Sequence, residues 1–367
     1  MVEWKTIGDI ISVHTGDQLN RNDMLDDGPY PVINGGRTPS GYTTESNEKG
    51  NNITISQGGE SAGYVNWQDL DFWAGAHCYV VENITKQNIR YIYHFLKESE
   101  YGIMQSKLGA GIPGLNRKNL YSIQIPIPSL QEQERIVGIL DTFTASIDNL
   151  KEQIAQRRKQ YEHYRDQLLD LEGKEGVEMN TLGELGKFVR GSGIQKSDFI
   201  EDGKPCIHYG QIHTKYSLST TKAISMIDEN LYNRCKKASK GDVILATTSE
   251  DAEGCAKPVA WLGDEDVAIS GDAYIYQHNQ NGKFMALQFT TNRFMQFKVR
   301  NVTGAKVIRI SGDSMAKYEF PLPNMETQSR IVSILDTFEA SISNLEAQLR
   351  EREKQYEYYR NKLLTFE

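Results

Sequence analysis

An α+β architecture follows from the sequence: two mixed α/β globular units separated by a long antiparallel two-helix coiled coil, built by internal duplication and carrying pseudo-twofold symmetry. It rests on a repeat that spans the chain, on a coiled-coil apolar period closing each copy, and on short β-rich runs broken by Gly-rich loops in between. A shift of 195 residues lays Pro126 on Pro321, Pro128 on Pro323, Gln133 on Gln328, Arg135 on Arg330, Tyr161 on Tyr356 and Leu169 on Leu364 without a gap. Of the 44 positions from 126 to 169, 26 are identical, far more than unrelated helices share, so the repeat is a duplication. The same shift pairs Gly109 and Ala110 with Gly304 and Ala305, and Tyr79 with Tyr274. Near the start of each copy the shift is 175, matching Thr6, Gly8 and Gly16 to Thr181, Gly183 and Gly191, so the second copy holds a net 20 residues more between the two zones. The frames are shared and the middles differ.

Taken in order, the first globular unit covers residues 1–128, the first long helix 129–172, the second unit 173–323 and the second long helix 324–367. Strands are expected at Asn52 to Ser56, Cys78 to Val81, Asp242 to Leu245 and Ala273 to Tyr276, and helices at Ile89 to Lys97 and Phe284 to Phe297. The polar, Gly-containing stretch 172–180 reads as a linker. In the first long helix Ile136, Leu140, Phe143, Ile147, Leu150, Ile154, Arg157, Tyr161, Tyr164, Leu168 and Leu171 step by alternating fours and threes, the a/d seam of a coiled coil. The second repeats it from Ile331 to Phe366, with Arg352 in place of Arg157. Each helix of about 40 residues would run roughly 60 Å. Neither can bury its seam alone, and the natural partner of each is the other copy, antiparallel; a seam shared with a different subunit is the alternative. Arg157 and Arg352 either fix the register or extend their charged ends to water.

Composition narrows the class. With 38% hydrophobic and 25% charged residues the chain should fold as a globular protein. No apolar run reaches the roughly 18 residues of a bilayer span, and the start MVEWKTIGDI lacks a signal peptide's basic and apolar regions, so the expected compartment is the cytoplasm, with no membrane partner. Cys78, Cys206, Cys235 and Cys255 are widely spaced and fit neither a zinc site nor a disulfide framework. Enzyme readings fail in turn. Gly58 and Gly63 have phosphate-loop spacing, but Tyr64 stands where lysine is needed. No Asn/Asp-Pro-Pro-Tyr/Phe run is present, so adenine methylation is not performed by this chain. Asp202-Gly-Lys204 gives half of a nuclease motif without a partner carboxylate. Cys206, His208 and His213 lack a fourth metal ligand nearby.

The stretch GAGIPGLNRKNLYSIQIPIPSLQEQERIVGILDTF, residues 109–143, resembles the specificity subunit of type I restriction-modification systems. The residues that carry the resemblance are Gly111, Leu115, Asn116, Arg117, Pro126, Pro128, Gln131, Glu132, Gln133 and Ile136. The second half keeps Pro321, Pro323, Gln328 and Ile331, with Ser311 in the place of Asn116. Ile7-Gly-Asp-Ile10 and Leu182-Gly-Glu-Leu185 resemble the family's unit starts, and the resemblance runs the length of the chain. It implies a non-catalytic subunit whose two target-recognition domains each read one half of a split, asymmetric site on double-stranded DNA. It implies partners too: two methyltransferase subunits that methylate adenine at N6 with S-adenosylmethionine, and two restriction or motor subunits that use ATP and Mg. No cofactor and no metal are expected on this chain. A coiled-coil scaffold with duplicated domains that do not bind DNA is the alternative.

The net charge of −8 argues against non-specific coating of nucleic acid, but it conceals an acid-free stretch between Asp272 and Asp313 that holds Lys298, Arg300, Lys306 and Arg309. In the first half no acid separates Glu100 from Glu132, and Lys107, Asn116, Arg117 and Lys118 lie there. The basic residues are the candidates for phosphate contacts, which fix register and make affinity salt-dependent. For base reading the candidates lie on polar loops of the divergent middles: Asn34, Arg37, Gln57 and Ser61 in the first unit, Tyr209, Gln211, His213, Thr247 and Thr248 in the second. Arg37 suits guanine and the amides of Asn34, Gln57 and Gln211 suit adenine, because their forks match the base edges.

Overall fold

The computed structural model describes residues 2–106, 113–304 and 306–366. Among them no helix is long and apolar enough to cross a membrane. The chain divides into two compact units, one of residues 1–153 with 345–367, the other of residues 154–344. Each long helix therefore contributes to both units.

The first unit is built on a four-stranded antiparallel sheet in the order Ile11–Thr15, Cys78–Asn83, Asn52–Ser56, Val65–Gln68. A three-stranded sheet sets Tyr30–Ile33 between Tyr42–Thr43 and Trp73–Ala74, the latter pair parallel. A third, two-stranded sheet joins Glu3–Thr6 to Gln124–Ile127. Asn52–Ser56 and Cys78–Asn83 bury Ile53, Ile55, Tyr79 and Val81 against the helix Ile89–Glu98, whose Tyr91, Ile92 and Leu96 complete the core with Ile136, Leu140 and Leu364 of the long helices. That helix starts at Asn88, whose side chain accepts from the amides of Arg90 and Tyr91.

The second unit repeats the plan with longer sheets. One runs Gly186–Arg190, Ala273–His278, Val243–Ala246, Lys257–Trp261, Ser219–Thr220, and the other Phe199–Ile200, Ser225–Ile227, Lys204–Ile207, Val267–Ile269, Lys237–Ala238. Glu178–Thr181 pairs with Glu319–Leu322, the counterpart of the two-stranded sheet above. The expected single helix from Phe284 to Phe297 is instead two, Gly282–Gln288 and Asn292–Asn301. The break is local chemistry: the Thr291 hydroxyl caps the second by accepting from the Phe294 amide at 3.1 Å, while its own O–H turns to the Gln288 carbonyl. The stretch expected as a linker ends in a strand, because Glu178–Thr181 finds an edge to pair with.

Both units open on the same device. Thr6 and Asp9 form a capping box, and so do Thr181 and Glu184, whose carboxylate accepts from the Thr181 amide at 2.7 Å. Gly16 and Gly191 mark a shared close approach: a Cβ on either would lie 2.0 Å from the Ala74 carbonyl oxygen or 2.1 Å from that of Ser270.

The long helices run Leu130–Leu169 and Met325–Leu364, within three residues of the expected ends. Within the first unit Phe143 stacks on Tyr359 at 5.3 Å and meets Tyr356 at 6.5 Å, while Leu140 shares a core with Leu364. Within the second unit Tyr164 lies 5.3 Å from Phe338, and the Tyr161 hydroxyl donates to Glu339 at 3.3 Å. In both units one helix ascends as the other descends, so the pairing is antiparallel and within the chain. Arg352 lies 5.6 Å over the Phe143 ring and Arg157 5.9 Å over Phe338, so each seam arginine covers a phenylalanine of the partner helix.

Candidate nucleic-acid interface

In the first unit the loop after Asn52–Ser56 is pinned to the chain that leads into the long helix. Leu115 donates its amide to the Gln57 carbonyl at 2.7 Å, and Gly58 bridges to Gly114. The Gln57 amide donates to the Tyr79 hydroxyl at 3.1 Å, and that hydroxyl donates to the Leu115 carbonyl at 3.1 Å. Above the Tyr79 ring, at 5.5 Å, is the exposed guanidinium of Arg117. Asn34 accepts from the His77 amide at 3.1 Å and, with Arg37, lines a cavity of about 80 Å³ shared with Thr54, Ser56, Tyr64 and Gln68. Arg37 is exposed and lies 5.4 Å over the Tyr64 ring, which also carries the Lys97 ammonium at 4.2 Å; burial holds the Tyr64 phenol above its ordinary pKa. Ser61 is half-buried in the same loop, where its carbonyl accepts from the Tyr64 amide. Asn34, Arg37, Gln57 and Arg117 thus gather around one loop system.

Asn116 is exposed, and its side-chain oxygen caps the short helix Arg117–Tyr121 by accepting from the Lys118 amide at 2.8 Å. Lys118 is exposed. Lys107 lies outside the described residues.

In the second unit the same pinning point recurs. Ile310, the counterpart of Leu115, donates to the Thr247 carbonyl at 3.4 Å, and Thr248–Ser249 pairs with Ile308–Arg309. The Thr248 carbonyl lies 3.0 Å from His213 Nε2, and the His213 carbonyl accepts from Lys257 at 3.0 Å, so helix Tyr209–Thr214 is tied to the loop. The Gln211 amide is engaged on both sides, accepting from the His208 amide at 3.1 Å and donating to Ser225 at 2.6 Å. The Tyr209 ring lies 4.6 Å from that of His208, whose pKa burial lowers, and 6.5 Å from that of His213. Arg190, Gln195, Lys196, Tyr209 and Asp272 line an open groove of about 490 Å³. Arg300, Lys306 and Arg309 are exposed.

Two expectations need correction. Lys298 is only 3% exposed, and its ammonium donates to the carbonyls of Glu253 and Cys255, both at 2.8 Å; a phosphate cannot reach it. Thr247 is 5% exposed with its hydroxyl turned to the Asp272 carbonyl, so it carries the loop and does not face a base. Several contributors carried no sequence signal of their own. Lys257 and the groove residues Arg190 and Lys196 lie outside the acid-free stretches. Tyr79 was visible only as a repeat match to Tyr274.

The sequence matches the family described as type I restriction modification DNA specificity domain over residues 1–157 and 174–353. The specificity subunit of the Escherichia coli type I restriction enzyme EcoR124I/EcoR124II is 28% identical over 393 residues, covering all of this chain and 94% of that one. The specificity subunit of the Methanocaldococcus jannaschii type I enzyme MjaVIII is 23% identical over 300 residues, 75% of this chain and 68% of that one. Among solved structures, the type I restriction-modification S subunit of M. genitalium superposes with a TM-score of 0.67 at 18% identity, over 100% of this chain and 97% of that one. A chain from a structure concerning complex assembly and conformational transition of the type I R-M system gives 0.57 at 15% identity, over 99% and 97%.

Proposed function

The chain belongs to the type I restriction modification DNA specificity family, and we propose on that basis how it selects DNA. Each unit reads one half of a split, asymmetric site, and the paired long helices set the spacer between the halves. The chain is a specificity subunit and performs no catalysis. It directs two methyltransferase subunits to adenine N6, and two motor subunits to restriction when they are bound. S-adenosylmethionine then belongs to the methyltransferase partner, and ATP with Mg to the motor partner. No relative or family match supports the scaffold alternative.

One observation carries the reading. Leu115 and Ile310, 195 residues apart, pin equivalent loops to equivalent frames, yet beyond the pin the loops present Gly58-Gly-Glu-Ser61 in one unit and Thr248-Ser-Glu-Asp251 in the other. A common scaffold with different side chains at its reading edge is what two unlike half-sites require, because position comes from the frame and discrimination from the groups that reach the bases.

The test is a binding measurement on the assembled complex of this chain with its methyltransferase subunits. Replacing Arg300, Lys306 and Arg309 with alanine should weaken binding to all sequences alike. It should also flatten the slope of log K against log salt by roughly 0.9 for each phosphate that is no longer neutralised. Unchanged affinity and slope would remove these residues from the interface.

A further inference from the structure

The loop Thr247–Ala256 is held from two sides. Its outward limb, Thr248–Ser249, pairs with Ile308–Arg309 and receives His213 at the Thr248 carbonyl. Its return limb folds back on itself, with the Gly254 amide donating to Asp251 Oδ1 at 2.6 Å, and rejoins the sheet where the Ala256 amide donates to the Ala246 carbonyl at 2.8 Å. It then passes through Ala256 at φ 58, left-handed backbone that a residue with a Cβ adopts only under constraint. The constraint comes from two sides, from the sheet through the Ala256 amide and from helix Asn292–Asn301. Lys298 reaches out of it, nine-tenths buried and more, and places its ammonium between the Glu253 and Cys255 carbonyls. Its partners are two backbone oxygens rather than a carboxylate. Burying an ammonium is costly, and burial does lower the Lys298 pKa; the two loop carbonyls offset that cost by accepting its hydrogen bonds. The field of the nearby loop acids Glu253 and Asp251 favours the charged form.

We propose that Lys298 is a positioning residue for DNA discrimination: its ammonium clamps the return limb of the Thr247–Ala256 loop, and so sets specificity for one half-site without touching DNA. The inference rests on the reading of the chain as a subunit that chooses the DNA sequence. It separates Lys298 from the exposed Arg300 and Arg309, which the proposed function assigns to phosphate.

The experiment uses the complex of the full chain with its methyltransferase subunits. Affinity is measured for the methylated-site sequence and for single-base changes in each half, across a range of salt. Lys298→Met should reduce discrimination in one half-site by about tenfold or more, the scale of a base contact, and leave the other half-site and the salt slope unchanged. A slope flattened by about 0.9 with discrimination intact would make Lys298 a phosphate contact and overturn the proposal. So would full discrimination in both halves. Hydrogen exchange guards against general unfolding: the Gly254 and Ala256 amides should lose protection while Val243–Ala246 and Ala273–His278 keep theirs.

If the unaltered complex discriminates no sequence at all, it is the functional reading that fails.

Discussion

Gln133 and Gln328 are fully buried and make the same three hydrogen bonds. Gln133 accepts from the Asn88 amide at 2.9 Å and donates to Gln87 at 2.7 Å and to the Pro128 carbonyl at 2.9 Å. Gln328 accepts from Asn281 at 3.0 Å and donates to Gln280 at 2.8 Å and to Pro323 at 2.9 Å. Gln133→Leu should therefore cost roughly 3 kcal/mol in urea unfolding, because it strands a buried amide and a carbonyl. His278 makes a pH prediction. Burial lowers its pKa to about 4, while the unfolded residue titrates near its ordinary 6.5. The unfolded chain thus binds a proton that the folded one refuses, so stability should fall as pH drops from about 6.5 to about 4. His278→Gln should flatten a thermal-melt series across that range; an unchanged slope would exclude His278 as its source. The glutamines were legible in the sequence because they recur at a fixed distance from Pro-x-Pro. The burial of Lys298 and Thr247 was not, since an acid-free count says which residues are cationic and nothing about which face they occupy.

At the scale of the element, the seam period placed both long helices; the repeat matched Thr6 to Thr181, and the structure shows what that match is for, a capping box at each. The period did not show how much of the seam a pair of helices covers: Tyr164 and Tyr359 hold seam positions yet are 43% and 41% exposed, because two helices cannot enclose rings of that size. What orders them is the Arg–Phe–Tyr stack, Arg352 over Phe143 against Tyr359, and Arg157 over Phe338 against Tyr164. Phe143→Ala should destabilise the helix pairing by about 2 kcal/mol, less than a fully buried ring because part of the site is already wet. Phe338→Ala should do the same in the second unit. Helical circular dichroism on heating checks both, and a melt unchanged by either substitution would show that the stack does not hold the pair. Charge anchors the helices as well: in the first unit Asp141 pairs with Arg90 and accepts a hydrogen bond from the buried His94, each at 2.8 Å, and Arg360 pairs with Glu98. In the second, Lys283 pairs with Asp336 and with Glu339. Asp141 and Asp336 are 195 residues apart, so this anchor too is a duplicated feature whose cationic partner has diverged.

For the molecule as a whole, duplication is the organising fact. Two units share capping boxes, buried glutamines, close-approach glycines and the pinning of one loop, and differ where side chains can reach a ligand. The fold was legible because duplication doubles every scaffold signal: a residue that matches itself 195 positions on is there for the frame. For the interface the sequence offers candidate loops and no more, because residues that differ between the halves do not repeat and no local pattern marks them. If this chain chooses a DNA sequence for partner enzymes to modify, the choice must be written into the methylation pattern of a genome. Expressing the chain with its methyltransferase subunit in a host free of adenine methylation, and mapping N6-methyladenine across that genome, reads the pattern out. One split motif should appear, methylated on both strands, and it should vanish when this chain is left out. The same methylation with and without the chain would mean that the choice is made elsewhere.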